Sequence, residues 1–212
     1  MRRCFKSVSH LCVVVLVLFG AAGTAAASPI QSPFSTVGGP PLADFEGFAE
    51  GTLISNQYAG VTFSQDDGGA PMIDNFPWLF GYNSVSGDGV LTGSTDGGAS
   101  VPTVAGLILD FTTAVSTVEF YLSDFGPLGT YTISAYGAGN VLLESFVAIP
   151  QNYVGFSHAS ADILKVTFDS SETFDAFAID DLRLVTAVPE PASILTILGA
   201  IAGLTAVGRR RT

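Results

Sequence analysis

Through the middle of this 212-residue chain, apolar and polar residues alternate one by one. Phe120 and Leu122 alternate with Glu119, Tyr121 and Ser123, and Tyr131, Ile133 and Ala135 with Thr130, Thr132 and Ser134. Leu164, Val166 and Phe168 alternate with Lys165 and Thr167 in the same way. Strand side chains change faces with a period of two, so each segment predicts a half-buried strand resting one face on a core. Further strands are expected at 44–48, 61–64, 105–111, 140–147, 152–157 and 176–185. Turn signals stand between them: Gly126-Pro127-Leu128-Gly129, Gly137-Ala138-Gly139-Asn140 and Asp169-Ser170-Ser171. With 24 glycines and 11 prolines beside 16 phenylalanines, short strands and turns are favoured over long helices. The pattern predicts one all-β domain over 44–186, an antiparallel sandwich, with a Pro- and Ser-rich flexible lead-in at 28–43. Residues 65–102, rich in Gly, Asp and Ser, are expected to form long loops with one or two short strands.

Charge is distributed unevenly. Six of the eight basic residues lie in the two ends, and between 28 and 187 only Lys165 and Arg183 oppose 18 carboxylates, a formal charge of −16. Nucleic acid is excluded as a partner, because phosphate binding needs clustered Lys and Arg, and an anionic membrane surface is disfavoured for the same reason. Divalent cations suit such a body better. Cys4 and Cys12 both fall in the first 27 residues, so the body has no thiol chemistry.

Both ends read as targeting segments. Residues 1–27 carry a basic start, an apolar run from Leu11 to Phe19 and a small-residue stretch closing Ala25-Ala26-Ala27. Those are the parts of a secretory signal peptide, with cleavage expected after Ala27. Residues 187–212 hold Pro189-Glu190-Pro191, an apolar stretch from Ala192 to Gly208, and Arg209-Arg210-Arg211. The stretch is expected to be a transmembrane helix, and the arginines to keep its far end cytoplasmic. This three-part tail resembles the PEP-CTERM sorting signal. The resemblance implies an exosortase-type membrane protease acting at Pro189-Glu190-Pro191. It implies transient anchoring in the inner membrane, then delivery to the cell surface or exopolysaccharide matrix.

The body carries a second resemblance. Asp44-Phe45-Glu46-Gly47, continuing through Gln57 to Phe63, and the closing Phe177-Ala178-Ile179-Asp180-Asp181-Leu182 are similar to the ends of jelly-roll carbohydrate-binding modules of the galactose-binding-like type. That implies a sandwich of jelly-roll type and a structural Ca²⁺ held by Glu46 with Asp180 or Asp181. Calcium takes six to eight oxygens in irregular geometry and would relieve the self-repulsion of the acidic body. Strand parity with Leu182 and Leu184 places Asp180 at the core rim. The other reading of the two aspartates is a pair with Arg183 or a turn cap. Asp66-Asp67-Gly68-Gly69 is read as a solvated loop before a second cation site.

A sugar-binding platform needs flat, partly exposed rings, and Trp78, Phe80 and Tyr82 are the candidates, with core packing as the competing role. Tyr121 and Tyr136, on polar faces of their strands, come next. Catalytic machinery is sparse: His158 has Ser157, Ser160 and Asp162 near it in sequence, but there is no G-x-S-x-G, H-E-x-x-H, P-loop or G-x-G-x-x-G. The expected function is therefore an exported, non-catalytic surface or matrix protein whose sandwich binds polysaccharide. The alternatives are a purely structural, self-associating surface component and a secreted hydrolase built on a carboxylate pair.

Overall fold

A computed structural model describes residues 28–75, 83–93, 105–124, 130–170 and 177–186. The leader and tail expected from sequence, including Pro189, Glu190, Pro191 and Arg209 to Arg211, lie outside the described residues. The structure is an antiparallel β-sandwich of jelly-roll type. In chain order its strands are β1 (Ser28–Ser32), β2 (Val61–Gln65), β3 (Met72–Asp74), β4 (Val90–Thr92), β5 (Leu107–Val115) and β6 (Thr117–Asp124). There follow β7 (Tyr131–Tyr136), β8 (Leu142–Ala148), β9 (Asn152–Ser157), β10 (Ile163–Ser170) and β11 (Phe177–Val185). One sheet has six strands in the order β1-β9-β6-β11-β4-β3, the other five in the order β2-β5-β10-β7-β8.

The alternation read from sequence sets the core. Phe120, Leu122, Val154, Phe156 and Ile179 of the six-stranded sheet pack with Phe63, Leu109, Ile133, Val166 and Phe168 of the five-stranded one, all buried. The Phe168 ring joins the layers, 4.3 Å from Phe177, 5.3 Å from Tyr131 and 6.3 Å from Phe120 between centroids. Offset and edge-on aromatic pairs of this kind add to area burial.

Two expectations are corrected. Residues 28–43 are not a loose lead-in: Ser28–Ser32 pairs along its length with β9, Ile30 opposite Gly155, and closes one edge of the six-stranded sheet. Residues 44–48 form no strand. Ala43 bridges Leu182, and Phe45, in the left-handed region at φ 58°, turns its ring into the core 5.6 Å from Tyr58 and 5.8 Å from Phe63. The Phe-Glu pair is thus a plug and a turn. Among the described residues of 65–102, two short strands, β3 and β4, lie where one or two were expected.

Candidate functional site

The two sheets have very different outer faces. On the six-stranded sheet, register aligns Asp180, Tyr121 and Tyr153 in one row and Arg183, Glu119, Gly155 and Ile30 in the next. All these side chains point away from the core, yet Glu119 is fully buried and Asp180, Tyr121 and Tyr153 are buried too. Residues 35–39 and 83–89 lie over them. The Glu119 carboxylate accepts from Ser35 Oγ, from the backbone N–H and hydroxyl of Thr36, and from Val37 N–H. Arg183 donates to the carbonyls of Val37 and Gly39 and, at 3.0 Å, to Asp181. The pair of Asp181 with Arg183 is one of the two roles left open by sequence. Asn83 N–H donates to Ser123 Oγ at 2.6 Å.

A bulge explains where Asp180 goes. The β11–β6 register shifts between Asp180 and Arg183, with Asp181 at φ 53°, a conformation that Asp tolerates better than most residues. Ile179 and Leu182 therefore both face the core, and Asp180 is carried to the outer face instead of the core rim. There it accepts four hydrogen bonds: Val85 N–H at 2.8 Å, Ser86 N–H at 3.0 Å, Ser86 Oγ at 2.9 Å and Asp181 N–H at 2.7 Å. Burial pushes the Asp180 carboxyl up to about 6, against the hydrogen bonds, which pull it down. Tyr153 donates to Asp181 at 3.0 Å, and burial followed by that bond raises its hydroxyl to about 12.

The same loop reaches Glu46, which accepts from Gly89 N–H at 2.8 Å. Residues 85–89 thus tie Glu46 to Asp180, while Asp181 turns toward Tyr153 and Arg183. Among the described residues no three His, Cys, Asp or Glu side chains converge as a metal shell. Four donors occupy the four acceptor directions of the Asp180 carboxylate. A Ca²⁺ between Glu46 and Asp180 would have to displace backbone amides, and the residues present fit that ion poorly.

The five-stranded sheet leaves its outer face open. Register sets Thr62, Asp110, Lys165, Tyr136 and Leu142 in one row. Ser64, Ile108, Thr167, Ser134 and Ser145 make the second, and Asp169, Thr132 and Val147 the third. Tyr136 is half-buried, and no loop lies across it among the described residues. Lys165 donates to Asn140 at 3.0 Å and stands 3.6 Å from Asp110. Ser134 and Ser145 hydroxyls are 2.9 Å apart. Sequence had ranked Tyr136 behind Trp78, Phe80 and Tyr82, and those three lie outside the described residues. Tyr121, of equal rank with Tyr136, is buried at 5.4 Å from Tyr153.

His158 is buried and pairs through Nδ1 with Asp162, whose other oxygen accepts from Ser160 Oγ at 3.1 Å. The serine thus binds the carboxylate rather than the ring, unlike a nucleophile–base pair.

No family model matches this chain, and no curated protein matches it. Solved structures do. A xylan-binding domain from Paenibacillus barcinonensis is similar at 14% identity, covering 72% of this chain and 100% of that one, with a TM-score of 0.36. A family 11 carbohydrate-binding module of a Clostridium thermocellum cellulosomal cellulase is similar at 15% identity, covering 74% and 99%, with a TM-score of 0.33. Likeness this distant says nothing of what this chain binds.

Proposed function

We propose that this protein is a non-catalytic carbohydrate-binding sandwich, exported and processed by an exosortase-type protease to the cell surface or polysaccharide matrix. The observation that carries the binding reading is the open face of the five-stranded sheet. It offers hydroxyls from Thr62, Ser64 and Thr132, a half-buried Tyr136 ring, and a cation and a carboxylate side by side at Lys165 and Asp110. Sugars are recognised by that combination of a ring face and fixed polar partners. The sorting tail resemblance supports the destination. The rings of Trp78, Phe80 and Tyr82, just before Asn83 in the sequence, belong to the proposal as a second contact.

Affinity electrophoresis through a panel of soluble polysaccharides tests it. Retardation that falls about tenfold in Tyr136→Ala, the worth of one good contact, assigns binding to the sheet face. A loss confined to Trp78→Ala assigns it to the segment before Asn83. No retardation by any glycan overturns the reading. Calcium is tested apart: a melting temperature that drops when EDTA replaces millimolar Ca²⁺, and does not drop in Glu46→Ala, would establish the ion.

A further inference from the structure

Charge decides which glycans the open face can hold. Between 28 and 187 the sequence supplies two cations, Lys165 and Arg183, and the fold engages both. Arg183 works beneath the cover, on Asp181 and on the carbonyls of Val37 and Gly39. Lys165 lies on the open face, but it donates to Asn140 at 3.0 Å and stands 3.6 Å from Asp110. Neither is left to receive a uronate carboxylate or a sulfate ester. Carboxylates, by contrast, face outward. The register that pairs Gln65 with Leu107 and Phe168 with Leu107, carried on by one residue, sets Asp66, Gly106, Asp169 and Thr132 across the third row of the face. Gly106 has no side chain, and Asp66 Oδ2 and Asp169 Oδ1 lie 3.0 and 3.1 Å from the point where its Cβ would be. Both aspartates are exposed. Asp66 accepts from Gly106 N–H through its other oxygen, at 2.8 Å, and among the described residues no lysine or arginine pairs with either carboxylate. Desolvation first, and the Asp66 charge second, raise the Asp169 carboxyl above its ordinary value, so the two acids share the gap at a cost.

Resting on the reading of this face as a polysaccharide site, we propose that its occupant is a chain of amino sugars carrying free, protonated amines, one of which lies over Gly106 between Asp66 and Asp169 while another sugar of the chain rests on Tyr136. A protonated amine brings three N–H donors and no acceptor, which suits two carboxylates and offsets their mutual repulsion. Hydrogen bonds between ionised partners are also roughly twice as strong as neutral ones. A neutral sugar hydroxyl in the same place would leave the two charges uncompensated, and a uronate would add a third. Tyr136 pairs with Lys165, four residues before Asp169 on the neighbouring strand, so ring and gap are roughly 13 Å apart along the sheet, a span for an oligosaccharide rather than a single sugar. Over longer range a body of −16 draws cationic chains in and turns anionic ones away.

Titration calorimetry of the full chain at mildly acidic pH, with short soluble oligomers of glucosamine, N-acetylglucosamine, glucose and a uronic acid, reads the outcome. The glucosamine oligomer is expected to bind at least about tenfold more tightly than its N-acetylated counterpart, and the uronate not at all. Asp66→Asn and Asp169→Asn should each weaken glucosamine binding about tenfold at an unchanged melting temperature. Asp88→Asn, the same loss of charge at an exposed site on the cover of the opposite sheet, should leave it as it was. A loss in Asp88→Asn equal to that in Asp169→Asn means general attraction to an acidic body and overturns the proposal. So does binding of the uronate. Equal binding of the glucosamine and N-acetylglucosamine oligomers that disappears in Tyr136→Ala overturns the amine and leaves the sheet-face reading standing. No binding of any oligomer, with no retardation across the polysaccharide panel, removes both.

Discussion

The outer faces of the two sheets present the same pattern in sequence and opposite outcomes in space. Glu119, Tyr121 and Ser123 alternate with apolar residues just as Thr132, Ser134 and Tyr136 do. The first set is buried beneath residues 35–39 and 83–89; of the second, Thr132 and Tyr136 stay half-exposed and only Ser134 is buried, beside Ser145 of the neighbouring strand. Alternation tells which residues turn away from the core, not whether they meet water. What decides is whether another segment can satisfy them. Glu119 receives donors from Ser35, Thr36 and Val37 and Asp180 from residues 85 and 86. The cover is thus bonded to the sheet by hydrogen bonds to buried carboxylates, which are stronger than neutral ones.

The largest test of this contrast is Gly155→Val. Gly155 lies between Ile30 and Glu119 in the covered row, and a Cβ there would overlap the backbone carbonyl of Val118. Chemical denaturation should show a loss of about 4 kcal/mol, or no cooperative transition. Next is Glu119→Ala, which strands hydroxyl and amide donors in a buried site. A loss of about 3 kcal/mol is expected, with faster proteolysis of residues 28–43. A cost below about 1 kcal/mol would mean the cover is held some other way.

Asp180 gives a smaller and pH-dependent effect. Its folded value, about 6, lies above the ordinary 3.8, so between the two the folded chain keeps a proton the unfolded chain releases. The contribution of Asp180 is therefore fully present below about pH 4 and lost as pH rises through about 6. Melting temperatures measured from pH 4 to 7 should fall across that window in the parent and run flatter in Asp180→Asn. Equal slopes would refute the assignment. The smallest effects belong to the open face. Lys165→Ala and Thr132→Ala should each change stability by less than about 0.5 kcal/mol, since a partly exposed ion pair and a surface hydroxyl contribute little. A larger loss would show that this face, too, is a structural one.

Sequence was a good guide to the strands from β5 to β11, because each turns one face into the core, and β6, β7 and β10 carry the period of two in their own residues whether or not the other face is later covered. It was a poor guide to whatever depends on distant partners. The donors to Glu119 are 82 to 84 residues away, and nothing near Glu119 in the chain announces them. β1 was missed because Ser28–Ser32 buries only Ile30, too little for a pattern. The bulge at Asp181 reversed the facing of Asp180. Two adjacent aspartates inside an apolar strand were the available sign, since only a local break in the ladder lets both find partners on one face. Tyr136 and Tyr121 looked alike for the same reason as the two faces did. Trp78, Phe80 and Tyr82 drew notice by composition, and the described residues do not include them.

β1 pairs with β9, and Ala43 bridges Leu182, so the first described stretch has its partners more than a hundred residues further on. While the polypeptide is being synthesised, the segment from Ser28 to Ala43 waits more than a hundred residues for the strands it will lie against. The closure of such distant ends is slow, as it is wherever contacts join remote parts of a chain. Until that closure Glu119 and Arg183 have no cover, and neither does the edge of β9. The sandwich therefore completes its assembly at its N-terminal side: residues 28–43 are the last to find their place, and a helper that shields nascent strands would act on them for longest.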